Sequence, residues 1–253
     1  MTPEAYKHNR DDLLMCEVFQ RRLSICGADK FPKVLTFGNL FLMPLEKIVS
    51  APGRSWALWR ITEDEGSLMA EVNEWEQLSD TITNPNKRLE WLTGRLLVKE
   101  VLHAMGLLFQ GITKDQYGKP FPRGYDFHLS LSHSYPYVAA LVDTLESVGI
   151  DLEQPKEKLL RIAPRIFSPV ELSDAGNDIT KHCVYWCAKE TLVKVHGQKN
   201  LVFAENLIIE PFQLNIEGDI RGKIIVGDTE RVLPLHYIVY PNFVVVFNQR
   251  TIL

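Results

Sequence analysis

The sequence predicts an α+β fold built from two copies of one shorter unit. Three observations carry this. Strand-like and helix-like segments alternate along the chain. At one constant offset Trp91, Leu97, Val98 and Lys99 match Trp186, Leu192, Val193 and Lys194, and the same offset lays the strand-like residues 55–59 on 150–154. Further on, after an insertion, Tyr135-Pro136 matches Tyr240-Pro241, and the strand patterns flanking them align, YVAALVD with NFVVVFN.

The elements follow in order. Residues 9–26 have a helical pattern, and the Pro/Gly-punctuated stretch 27–53 reads as extended or irregular. The aromatic-rich SWALWRIT (55–62) alternates as a strand does. A helix is expected from Ser67 to Leu78. Asn84-Pro85 has the form of an N-cap with proline in the first turn, opening a helix that runs to about His103 and stops near Gly106. The turn residues of KDQYGKPFPRGYD suggest a loop. FHLSLSH (127–133) and YVAALVD (137–143) read as a strand pair, and SVGIDLE (147–153) as the strand that begins the second half. Residues 156–167 have a helical pattern interrupted by Pro164. Ser168-Pro169 with Glu171 forms a capping-box signature, and a long helix over 179–196 ends at Gly197. LIIE, GKIIVG, LHYIVY and FVVVF complete the chain as short strands.

Composition narrows the class. At 253 residues, 45% hydrophobic and 24% charged, the chain has enough apolar surface for a large core, which excludes a disordered, collagen-like or coiled-coil protein. No apolar run reaches the ~18–20 residues of a membrane helix, and MTPEAYKHNRDDLL lacks the pattern of a secretory leader, so a cytoplasmic protein without a membrane partner is expected. The net charge of −4 disfavours a nucleic-acid partner. The charge is unevenly spread: residues 62–80 hold seven acids and no Lys or Arg, whereas 84–124 hold seven Lys/Arg against three acids. That basic stretch suits a small polyanion or a solvated helix face. The four cysteines, Cys16, Cys26, Cys183 and Cys187, form no zinc spacing and read as buried free thiols.

Asp151 and Glu153 lie two apart in a strand, which puts both carboxylates on one face. Such a pair repels unless a cation intervenes, and oxygen ligands suit a hard cation, Mg2+ first. Glu190 and Lys194 are four apart on one helix face, either as a surface ion pair or as a metal ligand and a phosphate contact. Ser132-His133 ends a strand, where a phosphate contact is the better reading than a nucleophile pair, since no G-x-S-x-G occurs. Arg88, Arg95 and Lys119 lie in the basic stretch and together suit a phosphate-rich ligand.

VGIDLE, RIFSPVE and WCAKETLVKVHG, in this order and preceded by RLEWLTGRLL, YGKPFP and LSLSHS, resemble the 4′-phosphopantetheinyl transferase superfamily, in its two-lobed, surfactin-synthetase-type branch. The resemblance covers about residues 88–197. It implies duplicated α+β lobes related by a pseudo-twofold axis, an N-terminal lobe over 1–145 and a C-terminal lobe over 146–253, with the active site in the cleft between them. It implies a single chain that works as a monomer, with coenzyme A as co-substrate and an apo acyl or peptidyl carrier protein as partner. Asp151, Glu153 and Glu190 match the ligands of Mg2+, with Mn2+ as an alternative metal. Lys194 matches a lysine on the pyrophosphate and is expected to be catalytic; Glu190, from the opposite side of the expected metal site, is the candidate base. Ser132 and His133 match the pair near the 3′-phosphate. Lys119 and Arg95, more loosely Arg88, and Lys189 match further coenzyme-binding positions. Ser130 stands where the family often has Asn. Two other classes remain open to the residues: another Mg2+-dependent phosphoryl or nucleotidyl transferase, and a catalytically silent carrier-binding module.

Overall fold

Among the described residues, two larger antiparallel sheets, each backed by one long helix, and one two-stranded sheet make up the mixed α+β structure. The computed structural model describes residues 45–72, 76–198 and 200–251. The expected helix over 9–26, most of the irregular stretch 27–53, and Cys16 and Cys26 lie outside them.

β1 (Leu45–Ala51) and β2 (Arg54–Arg60) form a hairpin whose tight turn uses Gly53 at φ 67°. β1 takes the extended one of the two readings given for residues 45–51: the ladder to β2 supplies the backbone partners that local punctuation does not reveal. α1 (Glu65–Glu71) starts at Asp64, whose carboxylate accepts the Ser67 N–H, and it ends well short of Leu78. α2 (Pro85–Ala104) is capped by Asn84 as expected and stops before Gly106 at φ 76°. β3 (Ile112–Lys114) and β4 (Pro120–Pro122) make a small hairpin in the segment expected as a loop. β5 (His128–Ser134) and β6 (Tyr137–Asp143) complete the first sheet, in the order β1-β2-β6-β5. Leu92, Leu96, Leu97 and Val101 of α2 cover it, packed with Leu129 and Val138.

The second sheet opens with β7 (Ile150–Glu153). α3 (Lys158–Ile166) contains Pro164, and α4 (Pro169–Ala175) begins with the full capping box, Ser168 accepting the Glu171 N–H and Glu171 accepting the Ser168 N–H. α5 (Ile179–His196) runs to Gly197 in the left-handed region at φ 82°. After α6 (Phe203–Asn206) come β8 (Leu207–Ile209), β9 (Glu217–Val226), β10 (Thr229–Val239) and β11 (Val244–Asn248), giving the order β7-β11-β10-β9-β8. Cys183, Cys187, Ala188 and Leu192 of α5 are fully buried, with Val244 and Val246 in the same cluster. Both of these thiols are free.

A third apolar cluster takes residues from both sheets: Leu58, Ala139 and Leu141 from the first, Ile150, Leu152 and Val245 from the second. A buried carboxylate reinforces this junction. Asp143 pairs with Arg54 at 2.8 Å and with both nitrogens of an Arg250 fork, at 2.8 and 2.9 Å; Arg250 also reaches the carbonyls of Pro52 and Gly53. Among the described residues no helix is long and apolar enough to cross a membrane.

Gly149 sits where β7 leaves the preceding loop, directly under α5. A Cβ there would meet the Thr191 carbonyl well inside van der Waals contact, and would crowd Val195. Gly149→Ala should therefore push helix and strand apart and cost about 3 kcal/mol. Urea denaturation should show the lower midpoint; an unchanged midpoint would mean that this close approach is not needed.

Candidate active site

β5 is the edge of the first sheet and β7 the edge of the second, and the two edges meet. No backbone ladder joins them. Side-chain hydroxyls do. Ser130 Oγ accepts the Ile150 N–H at 3.0 Å, and Ser132 Oγ accepts the Leu152 N–H at 3.2 Å. Ser132 in turn donates to Asp151 Oδ1 at 2.6 Å, and Ser134 donates to Glu153 Oε1 at 2.8 Å. Three serines spaced two apart thus present one strand face to the acidic strand.

The next residue of the Ser-His pair points the other way. His133 Nδ1 lies 3.0 Å from Glu90 of α2. Ser132 and His133 therefore engage opposite partners and form no nucleophile pair.

Asp151 is nearly buried. Its Oδ1 also receives the Lys194 ammonium at 2.7 Å, and that ammonium donates to the Ile150 carbonyl at 2.8 Å. Glu190, one turn before Lys194 on α5, has no hydrogen bond or ion pair within the described residues. Burial, with the charge of Asp151 added, pushes its pKa up to about 7, against the opposing pull of Lys194. Lys194 thus pairs with Asp151 and acts on Glu190 through its charge alone. Glu153 stands apart: its other oxygen pairs with Lys158 at 3.0 Å, and the Gln154 N–H binds the first. Asp151 and Glu190 suit a hard divalent cation, being oxygen donors with unbalanced charge, whereas Glu153 is already partnered. Among the described residues no three His, Cys, Asp or Glu side chains gather closely enough to hold a metal.

Two adjoining cavities flank β5. One of about 230 Å³ is lined by Lys119, Ser130, Leu131, Lys194 and Gly197 among others. The other, about 450 Å³, lies between α2, the β3–β4 hairpin and β5, and takes in Lys87, Glu90, Arg95, Lys114 and His133. Gly118, Pro120 and Leu131 line both. The expected basic residues divide among these surroundings. Arg95 lines the larger cavity, stacked on Trp91 at 3.5 Å from the ring centre and paired with Glu76. Lys119 lines the smaller one, its ammonium donating to Ser147 Oγ at 2.6 Å and to the Val195 carbonyl at 3.4 Å. Arg88 lines neither; it holds α1 through Glu65 at 2.6 Å and donates to the Ile82 carbonyl.

Lys189 requires a correction. Its ammonium is fully buried, paired with Glu171 at 2.8 Å and donating to the carbonyls of Phe203 and Leu207 at 2.9 and 2.6 Å. All three of its donor positions are used within the second core, so none is left for a ligand. Residues 189 and 190 are neighbours in sequence, but the helix turn sends the first inward and the second to Asp151.

Reading the sequence alone missed Ser130 and Ser134 as partners of β7, Glu90 and Lys158 as partners of His133 and Glu153, and Lys87 as a partner of Glu90. The alternation of LSLSHS was the available signal for the serines, because every second position in an otherwise apolar strand is a hydroxyl.

Residues 147–240 match the sequence pattern of the 4′-phosphopantetheinyl transferase superfamily. Over that stretch the chain is similar to this superfamily. It is 34% identical over 147 residues to the 4′-phosphopantetheinyl transferase Sfp of Bacillus subtilis (strain 168), covering 54% of this chain and 63% of that protein. It is 33% identical over 139 residues to another 4′-phosphopantetheinyl transferase of Bacillus subtilis, covering 51% and 58%. Against the Bacillus subtilis 4′-phosphopantetheinyl transferase ffp it is 31% identical over 144 residues, covering 53% and 61%. The matched stretch thus spans roughly three fifths of the length of these superfamily members. Within it lie Asp151, Glu153, Glu190 and Lys194, on the elements that the superfamily pattern covers.

Two outcomes follow from these charges. Lys189→Ala leaves Glu171 buried and unbalanced, and should lower stability by about 3–5 kcal/mol in urea denaturation; a loss below 1 kcal/mol would contradict the buried pair. Glu190 binds its proton more tightly folded (about 7) than unfolded (4.5), so the folded state loses ground as pH rises between these values. In chelator, Glu190→Gln and the unmutated protein should be equally stable below pH 4.5. Above pH 7 the variant should be more stable, by at most about 3 kcal/mol. Parallel pH–stability curves would rule this out.

Proposed function

We propose that the chain transfers the 4′-phosphopantetheine arm of coenzyme A to a serine of an apo acyl or peptidyl carrier protein, with release of 3′,5′-ADP. The observation that carries this reading is the Asp151–Lys194–Glu190 cluster, held by Ser132, with Lys194 lining the smaller cavity that adjoins the one lined by His133 and Arg95. The match of residues 147–240 to the superfamily pattern and the transferase names of the relatives support it. The chain reads as two lobes, 1–145 and 146–253, with coenzyme A in the cleft between them. In support, β2-β6-β5 with α2 and β7-β11-β10 with α5 share strand order and antiparallel sense. One chain then completes the cleft as a cytoplasmic monomer, with no nucleic acid or membrane as partner.

The reaction forms a bond from the carrier serine Oγ to the phosphorus that bears the pantetheine arm. The bond from that phosphorus to the bridging oxygen breaks, and 3′,5′-ADP leaves with the electron pair. Phosphoryl transfer of this kind chiefly needs in-line placement and neutralised charge. Lys194 sits where negative charge grows on the pyrophosphate. His133 and Arg95 hold the 3′-phosphate and nucleotide end, joined by Lys119 when its ammonium leaves Ser147. Glu190 takes the serine proton directly or through water. Asp151 and Glu190 would hold Mg2+ or Mn2+, joined by Glu153 once its pair with Lys158 opens. When bound, the ion neutralises pyrophosphate charge.

Mass spectrometry of an apo-carrier incubated with coenzyme A and Mg2+ tests the reaction. The expected result is a phosphopantetheine mass increment that is absent with chelator and absent with folded Asp151→Ala or Glu190→Ala. A fully active Glu190→Ala enzyme would overturn the assigned site, and an unmodified carrier would overturn the reaction.

A further inference from the structure

The larger cavity contains a buried acid that the proposed chemistry does not use. Glu90 is 2% exposed, yet three donors converge on its carboxylate. His133 Nδ1 and Lys87 Nζ reach Oε2 at 3.0 and 2.7 Å, and the Tyr135 N–H reaches Oε1 at 2.9 Å. Burial raises the carboxyl's pKa, but the bonds and charges of His133 and Lys87 outweigh it and hold the group at about 2. The acid is thus ionised under working conditions and acts as an acceptor only.

His133 itself is loosely enclosed, with 47% of its side chain exposed. An imidazole so open could turn about its side-chain bonds and present either nitrogen outward. The contact with Glu90 removes that freedom. With Nδ1 held by the helix, the remaining nitrogen, Nε2, is the one left for the cavity, where Arg95, Lys87 and Lys114 also stand.

We propose that Glu90 is a positioning residue: by holding Nδ1 of His133 it aims Nε2 at a phosphate monoester bound in the cavity between α2, the β3–β4 hairpin and β5. This rests on the function proposed above, in which the phosphate is the 3′-phosphate of coenzyme A. Glu90 touches neither substrate nor the reacting atoms and acts through the imidazole alone.

Glu90→Gln separates this role from simple support. The amide oxygen can still accept the Tyr135 N–H, which keeps the β5–β6 turn anchored, while its NH2 group faces His133 and gives Nδ1 no acceptor. The probes are 3′,5′-ADP and ADP, titrated calorimetrically into the full chain. His133→Ala and Glu90→Gln should each weaken 3′,5′-ADP about tenfold. The double variant should be no weaker than His133→Ala, and ADP binding should stay within twofold throughout. Equal losses for both nucleotides, or losses that add in the double variant, would overturn the positioning role while leaving the function standing. An unmutated protein that binds neither nucleotide would overturn the function and the inference together. Should Glu90→Gln not fold, imidazole 15N NMR of the unmutated protein decides instead. 3′,5′-ADP should shift Nε2 of His133 and leave Nδ1; a shift at Nδ1 would overturn the proposal.

Discussion

The candidate site depends on how two sheet edges are joined without being hydrogen-bonded as strands. The open edge of β7 presents the Ile150 and Leu152 N–H groups, which would be costly to bury unpaired. Ser130 and Ser132 accept them, and Ser132 spends its own hydrogen on Asp151. One hydroxyl therefore seals the edge and orients a carboxylate. A backbone ladder would have closed the strands to ~4.8 Å and merged the sheets into one surface. The serine bridge keeps them distinct, with the cavities beside β5.

Around that seam, charges are sorted by the two sides of α5. Toward the second core, Lys189 and Glu171 neutralise one another, with each remaining polar position satisfied by backbone. Toward β7, Asp151 and Glu190 have only Lys194 between them, and the strain shows in the displaced proton affinity of Glu190. The contrast separates a buried pair that supports the fold from a cluster left electrostatically incomplete.

What could be read from sequence was what neighbouring residues determine. Asn84-Pro85, Ser168 with Glu171, and Gly197 mark helix ends through contacts within one turn, and all three hold. The strand pairing β5–β6 was legible in its alternation. The ends of α1 and the existence of β1 were not, because the first turns on the Asp64 cap and the second on a ladder to β2. Asp151, Glu190 and Lys194 stood out because strand and helix periods put chemistry on one face. Lys189 misled because its buried partners, Glu171, Phe203 and Leu207, lie in other elements. Glu90 was invisible for the same reason: its partners His133 and Tyr135 belong to a strand and turn far along the chain.

The position of β11 also sets when the acidic strand can take its place. β11 lies between β7 and β10, with Val246 opposite Asp151 and Val244 opposite Glu153. During synthesis, residues 45–143 can assemble the first sheet as they emerge, since its four strands are all present by then. β7 follows immediately but has no ladder partner until residues 244–248 leave the ribosome. The carboxylates of β7 are thus among the earlier parts of the second sheet to be made and among the last to be fixed.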